Sequence, residues 1–137
     1  MTDAVARYLL DTDWVIEYLA GREPVASRVQ SLALARTGIS VVTIAELYDG
    51  AFYSREPELA LAALRVFLAE GVSVIPFSTA IAREVGRERG RLRRAGALIG
   101  DFDIVIGCTA RHLGIPVYTN NRRHFERIAD LEVISTT

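Results

Sequence analysis

The chain has 137 residues, half of them hydrophobic and 24% charged, with 16 basic against 17 acidic side chains and one cysteine. These numbers fit a single domain over 1–137 and exclude a disordered chain or a disulfide scaffold. The near-zero net charge excludes a global polyanion-attracting field, and no apolar run approaches the ~20 residues a membrane span needs; the acidic N-terminal stretch lacks the basic start of a secretory signal, so a cytoplasmic location is expected.

The first strong pattern is YLLDTD, Tyr8 to Asp13, an apolar run that stops abruptly in carboxylates. Val15, Ile16, Leu19 and Ala20 follow at helical spacing, so the segment reads as strand, sharp turn and helix, closed by Gly21. Pro24 opens a second helix that should run to about Arg36. A β-rich run at Ile39 to Val42 comes next, and Thr43 with Glu46 has the Thr-x-x-Glu form of a capping box. Pro57 sits in the first turn of the helix ELALAALRVFLAE, which Gly71 ends. VSVIPF, Val72 to Phe77, is a third strand, and Ser78 caps an arginine-bearing helix. The loop AGALIGDFD leads into a helix from about Asp103 to Leu113; IPVYT is a fourth strand, followed by NNRRHF, a short helix and the apolar run LEVI. Short strands alternating with longer helices predict an α/β fold, a three-layer sandwich with a short, mostly parallel central sheet flanked by helices.

In such sheets ligands bind at the carboxyl ends of the strands. Asp11, Glu46, Asp103, Asp101 and Asn121 all fall at or just beyond those ends. Carboxylates gathered within ~5 Å repel by roughly 3 kcal/mol per pair at an effective dielectric near 20, so they take up protons or hold a cation. Oxygen-only ligands with little His or Cys nearby favour Mg2+ or Mn2+ over Zn2+, and such a site polarises a phosphodiester and activates a water. Each residue also has a local explanation. Asp11 and Asp103 are good helix caps, Glu46 completes a capping box, and Asp13 reads as an exposed first-turn carboxylate favoured by the helix dipole.

Four blocks, YLLDTDWVIEYL, ISVVTIAELYDGA, IGDFDIVIGCTARHLG and VYTNNRRHFERI, stand in an order and spacing that resemble the PIN-domain ribonucleases, specifically the VapC-type toxins of toxin–antitoxin pairs. The resemblance covers essentially the whole chain. It implies a Mg2+-dependent endoribonuclease, Mn2+ substituting, that leaves a 3′-hydroxyl and a 5′-phosphate. It also implies that Asp11, Glu46 and Asp103 are the catalytic metal-holding acids. Asp101 is an extra candidate ligand, Asn121 falls on the fourth acidic position with a neutral carbonyl, and Thr119 matches a hydroxyl that orients a carboxylate or a water. RNA and a cognate antitoxin are the implied partners, with a homodimer; helices like the one carrying Tyr48, Phe52 and Tyr53 build the dimer or the antitoxin groove.

All basic residues are Arg, six of them between Arg83 and Arg94. Arg91, Arg93 and Arg94, with Arg122 and Arg123, are candidate RNA-phosphate contacts, against the plain alternative of a solvated helix face. His112 reads as a surface residue, His124 as a possible phosphate contact among arginines, Cys108 as a core residue, and Trp14 carries no assignment. Two other functions compete. DTDWV fits the Asp-x-Asp-x-Val start of haloacid-dehalogenase-type phosphatases, which need a downstream basic residue, usually the Lys this chain lacks. A noncatalytic RNA-binding or assembly module of the same fold draws its support from Asn121.

Overall fold

The computed structural model describes residues 5–137. Tyr8–Leu10 forms β1 and Thr12–Leu19 α1; α2 is Val25–Leu32, β2 Thr37–Ser40, α3 Val41–Tyr53 and α4 Pro57–Leu68. Ser73–Ile75 is β3, Thr79–Arg94 α5, Asp101–Leu113 α6, Val117–Tyr118 β4, Arg122–Phe125 α7 and Val133–Ile134 β5. The sheet order is β3-β2-β1-β4-β5, and every pairing is parallel.

Period-two alternation divides the core. Leu10, Ile39 and Tyr118 enter a cluster with Trp14, Val15, Val29, Leu64 and Phe67 on one face. Leu9 and Val117 turn to the other face, with Leu92, Ile104, Ile106, Phe125 and Ile128. Both sides of a parallel sheet are thereby covered, α1 to α4 packing on one and α5 to α7 on the other. The expected three-layer architecture holds.

Three boundaries differ from expectation. The second helix stops at Leu32 because Ala33 takes a left-handed φ of 64° and Thr37 Oγ1 donates to the Ala33 carbonyl, so only a single 3-10 turn, Leu34–Arg36, continues. β2 ends at Ser40, whose hydroxyl accepts from Val42 N–H at 3.1 Å and starts α3 three residues before Thr43. α6 starts at Asp101 with Gly100 at the cap, which makes Asp103 its third residue and no cap.

The chain winds outward from β1 to β2 and β3, then returns to lay β4 and β5 on the other side of β1. Outside the carboxyl ends of β1 and β4 the strand order switches, which opens a crevice in folds of this kind.

Candidate active site

The register pairs Leu10 with Tyr118, so the next residues on each strand, Asp11 and Thr119, leave the sheet side by side. Thr119 Oγ1 donates to Asp11 Oδ2 at 2.7 Å, and Thr12 N–H donates to Asp11 Oδ1 at 2.8 Å. Asp11 therefore does cap α1, and it does so while facing the crevice. Its residue is only 5% exposed. Burial pushes its carboxyl up to about 8; the Asp13 charge adds to this, the Thr119 and Thr12 bonds oppose it, and Asp103 adds a smaller push.

Asp13 overturns the reading of an exposed carboxylate. The first turn of α1 lies under the loop after β4, so Asp13 Oδ2 accepts from Asn120 N–H at 3.0 Å. Its Oδ1 is buried without a hydrogen-bond partner. Burial raises its carboxyl too, against the bonds from Asn120 and its neighbours.

Glu46 lies in the second turn of α3 and makes no capping box, since Ser40 holds that cap. Thr43 and Glu46 share a helix face and meet the same hydroxyl: Thr12 Oγ1 donates to Glu46 Oε1 at 2.6 Å and lies 3.0 Å from Thr43 Oγ1. Thr12 thus ties Glu46 to the residue beside Asp11. On α6, Asp103 Oδ2 lies 2.9 Å from His124 Nδ1 and 3.4 Å from Asn121 Nδ2. Asp101, two residues earlier and hence on nearly the opposite side of the helix, accepts from Arg89 Nε at 2.8 Å and its side chain is 70% exposed. The structure does not bring Asp101 into the cluster.

Sequence reasoning missed Asp13, Thr12 and Asn120, and undervalued His124. Asn120 is a hub: its Oδ1 accepts from Trp14 Nε1 at 3.1 Å and from Thr136 N–H at 3.0 Å, which fixes the loop that roofs Asp13. Trp14 is fully buried against Tyr118, ring centroids 5.2 Å apart. The Asp-x-Asp spacing and the paired Asn residues were the available signals. Cys108 is a core residue whose thiol burial pushes up to about 11, and His112 sits outside the cluster at 2.5 Å from Glu84.

The arginine expectations separate. Arg91 is bound to the buried Glu88 and to the Arg127 carbonyl, and Arg122 pairs with Glu126 at 2.9 Å. Arg93, Arg94 and Arg123 are not seen in an ion pair among the described residues, and all three are exposed. Arg91 is committed to the fold and is corrected as a free phosphate contact.

Among the described residues no three His, Cys, Asp or Glu side chains close into a ready-made cage. The donors fit a divalent cation all the same. Asp13 Oδ1 is an orphaned buried carboxylate oxygen, and Asp11 carries a second carboxylate beside it whose charged form is short of compensation.

The chain matches the PIN domain over residues 8–131. It belongs to the PIN-domain family. Ribonuclease VapC2 of Haemophilus influenzae is 36% identical over 127 residues, covering 91% of this chain and 94% of the relative. The tRNA(fMet)-specific endonuclease VapC of Shigella flexneri is 34% identical over 125 residues, with the same coverages of 91% and 94%. The DNA-bound VapBC of Salmonella typhimurium superposes with a TM-score of 0.86 at 32% identity, covering 96% of this chain and 98% of that one. VapC-type PIN-domain nucleases are divalent-metal-dependent hydrolases. The PIN-domain assignment displaces the haloacid-dehalogenase reading of DTDWV. No helix among the described residues is long and apolar enough to cross a membrane.

Proposed function

We propose that this PIN-domain protein is a divalent-metal-dependent endoribonuclease and the toxin of a type II toxin–antitoxin pair. The observation that carries this reading is the buried Asp11 carboxylate just beyond β1, on which the charges of Asp13 and Asp103 act, with Glu46 held by the adjoining Thr12. Asp11, Glu46 and Asp103 are the catalytic acids that would hold the cation, Asp13 is a fourth carboxylate, and Asn121, whose amide nitrogen faces Asp103 at 3.4 Å, borders them. Mg2+ serves, and Mn2+ substitutes for it. When bound, the cation supplies Lewis-acid polarisation of the scissile phosphodiester and activation of a water for in-line attack, leaving a 3′-hydroxyl and a 5′-phosphate.

The protein's own share is positional. Thr119 fixes Asp11 through Oδ2, Thr12 fixes Glu46 through Oε1, and burial pushes the Asp11 carboxyl up to about 8, so that a bound divalent cation would compensate its charged form. No side-chain nucleophile is required, and Cys108 is buried as the neutral thiol. Arg93, Arg94 and Arg123 are free to meet RNA phosphates.

Partners follow from the surface beside Glu46. Ile16, Leu19, Leu47, Ala51, Ala63 and Leu64 line an apolar groove between α1, α3 and α4, and Glu46 stands on its wall. Tyr48 and Phe52 stack 6.2 Å apart on the exposed side of α3. An antitoxin helix fills this groove and sends an Arg toward Glu46 and the other acids, substituting one cation for another; the toxin itself is a homodimer. The noncatalytic module has only the neutral Asn121 in its favour, against four retained carboxylates.

Purified protein incubated with RNA, tRNA(fMet) first, tests the proposal. Cleavage in Mg2+, its loss in EDTA, and its loss in Asp11→Asn, Glu46→Gln and Asp103→Asn proteins of unchanged fold are expected. Cleavage undiminished by EDTA overturns the mechanism.

A further inference from the structure

We propose that the outer face of α5 is a docking surface for RNA, on which Arg83, Arg87, Arg93 and Arg94 hold a sugar–phosphate backbone along a furrow made by Gly86 and Gly90. That this RNA is the substrate rests on the endoribonuclease reading above; the surface itself does not.

α5 carries two faces of one periodicity. Ile81, Val85, Glu88 and Leu92 recur at i, i+4, i+7 and i+11 and turn inward, Glu88 and Leu92 being buried. Arg83, Arg87, Gly90 and Arg94 repeat that spacing two residues later, about 200° around the helix, and so look outward. Gly86 and Arg93, seven apart, run beside them.

The glutamates that would neutralise a solvated arginine face are not on it. Glu84 Oε2 lies 2.5 Å from His112 Nδ1 and its Oε1 3.6 Å from Arg111 Nε, while Glu88 is taken by Arg91, Arg111 and Ala129 N–H. Arg83, Arg87, Arg93 and Arg94 are exposed and make no ion pair among the described residues. Arg83 and Arg87, one turn apart, repel each other and weaken the helix. The glycines weaken it further. Neither has a positive φ, a Cβ at Gly86 would meet open space, and one at Gly90 would meet only Arg94 Nη1, at 3.6 Å. Packing accounts for neither feature, and a polyanion accounts for both.

The bare strip lies between Arg93 on one side and Arg83, Arg87 and Arg94 on the other, so phosphates resting on it are met by guanidinium forks from both sides. From Arg83 to Arg94 the helix rises about 17 Å, enough to span several phosphates. A net charge of −1 gives the protein no general attraction for RNA, and the carboxylates of the crevice repel it; this face supplies the attraction locally. It adjoins the catalytic end of α6, because Arg89 of the same helix donates to Asp101 at 2.8 Å, two residues before Asp103.

The test is binding of tRNA(fMet) in EDTA, where metal-dependent cleavage is off, by two double variants. Arg83→Gln with Arg87→Gln should weaken binding at least about tenfold at 0.1 M salt and remove up to about two units of salt slope; in Mg2+ it should raise KM rather than lower kcat. Gly86→Ala with Gly90→Ala should raise the melting temperature by several degrees, because each Cβ adds helix propensity at no steric cost, and should nevertheless weaken RNA binding several-fold by filling the furrow. A purely structural glycine pair would show the first effect without the second. Wild-type affinity and salt slope in both variants overturn the inference, as does a wild type that binds neither tRNA(fMet) nor total RNA at 0.1 M salt. If the arginine variant binds RNA normally but no longer copurifies with its co-expressed antitoxin, the face belongs to an acidic protein segment and the inference is likewise overturned. Binding that depends on α5, to RNA that is never cut in Mg2+, keeps the RNA surface and overturns the endoribonuclease reading instead.

Discussion

Thr119 Oγ1 stands 2.7 Å from Asp11 Oδ2, bridging the residues that follow two neighbouring strands at the head of the sheet. That bond is one of the two forces holding the Asp11 carboxyl down against its burial. Thr119→Val keeps the side-chain shape and removes the donor. A hydrogen bond to a charged group contributes about 1.5 kcal/mol, equivalent to roughly one pKa unit, so cation uptake should require a pH about one unit higher. Calorimetric titration across pH 6 to 9 measures the midpoint, and Thr119→Ser should restore it. A midpoint unmoved in Thr119→Val would show that the hydroxyl merely fills space.

The raised Asp11 carboxyl also makes cation-free stability depend on pH. Between the ordinary value of 3.8 and about 8 the native state keeps a proton that the unfolded chain has released. Stability therefore declines as pH rises through that window, and levels off above it. Asp11→Asn carries no such titration and keeps an acceptor for Thr12 N–H. Its melting temperature should exceed that of the wild type at pH 8.5 in EDTA by several degrees, and the gap should narrow steadily toward pH 5. A divalent cation should reverse the order by stabilising the wild type alone. Burial is the main cause, with Asp13 as the leading charge and Asp103 adding a smaller push. If Asp11→Asn melts lower than the wild type at every pH, the capping bond to Thr12 outweighs the electrostatic penalty.

The arginines of α5 divide into structural and free ones. Glu88, only 3% exposed, accepts from Arg91, from Arg111 Nη1 at 2.9 Å and from Ala129 N–H at 3.2 Å. Burial alone works to raise its carboxyl, but the bonds from Arg91, Arg111 and Ala129 outweigh it and hold it below the usual glutamate value. Arg91→Ala should cost about 2 kcal/mol and lower the melting temperature, the range for hydrogen bonds to a charged group. The Arg93→Ala, Arg94→Ala double variant should melt like the wild type, bind RNA more weakly and lose up to about two units of salt slope. Filter binding at several salt concentrations separates the two, and an RNA slope unchanged in the double variant would place the RNA on another face.

The sheet was readable because its determinants are local. Leu9 and Leu10 alternate between faces, and an Asp directly after an apolar run marks a strand end. The start of α3 was not readable, because Ser40 and Thr43 are both competent caps. The choice depends on where β2 stops pairing with β3, at Ser40 opposite Ile75, which is a tertiary fact. Asp13 and His124 were misjudged for the same reason. Asp13 is buried by Asn120, distant by 107 positions, and His124 meets Asp103 across 21. The local pattern placed Asp11, Glu46, Asp101 and Asp103 near strand ends and the family resemblance singled out three of them as candidates, whereas the residues that bond to them were visible only once the strands were side by side.

Gly107 offers a test of how α7 is held to the site. It lies in the buried face of α6, and a Cβ there would fall 2.2 Å from Ile128 Cδ1 and 3.2 Å from Leu131 Cδ2. Gly107→Ala gains helix propensity of about 1 kcal/mol but overpacks a close contact, typically at a cost of 1 to 3 kcal/mol. The net should be destabilising, and the displaced Ile128 lies just beyond α7, where His124 and the capping Asn121 both contact the carboxylate of Asp103. Cation affinity should fall along with the melting temperature. Ile128→Val deletes the Cδ1 that clashes, so adding it to Gly107→Ala should recover much of both losses, although Ile128→Val alone costs about 1 kcal/mol. Paired melting and Mn2+ titration on the four proteins of this cycle measure the coupling. Strictly additive single losses would mean that α6 does not support α7 through Ile128, and that His124 is held in place by Asp103 and Asn121 alone.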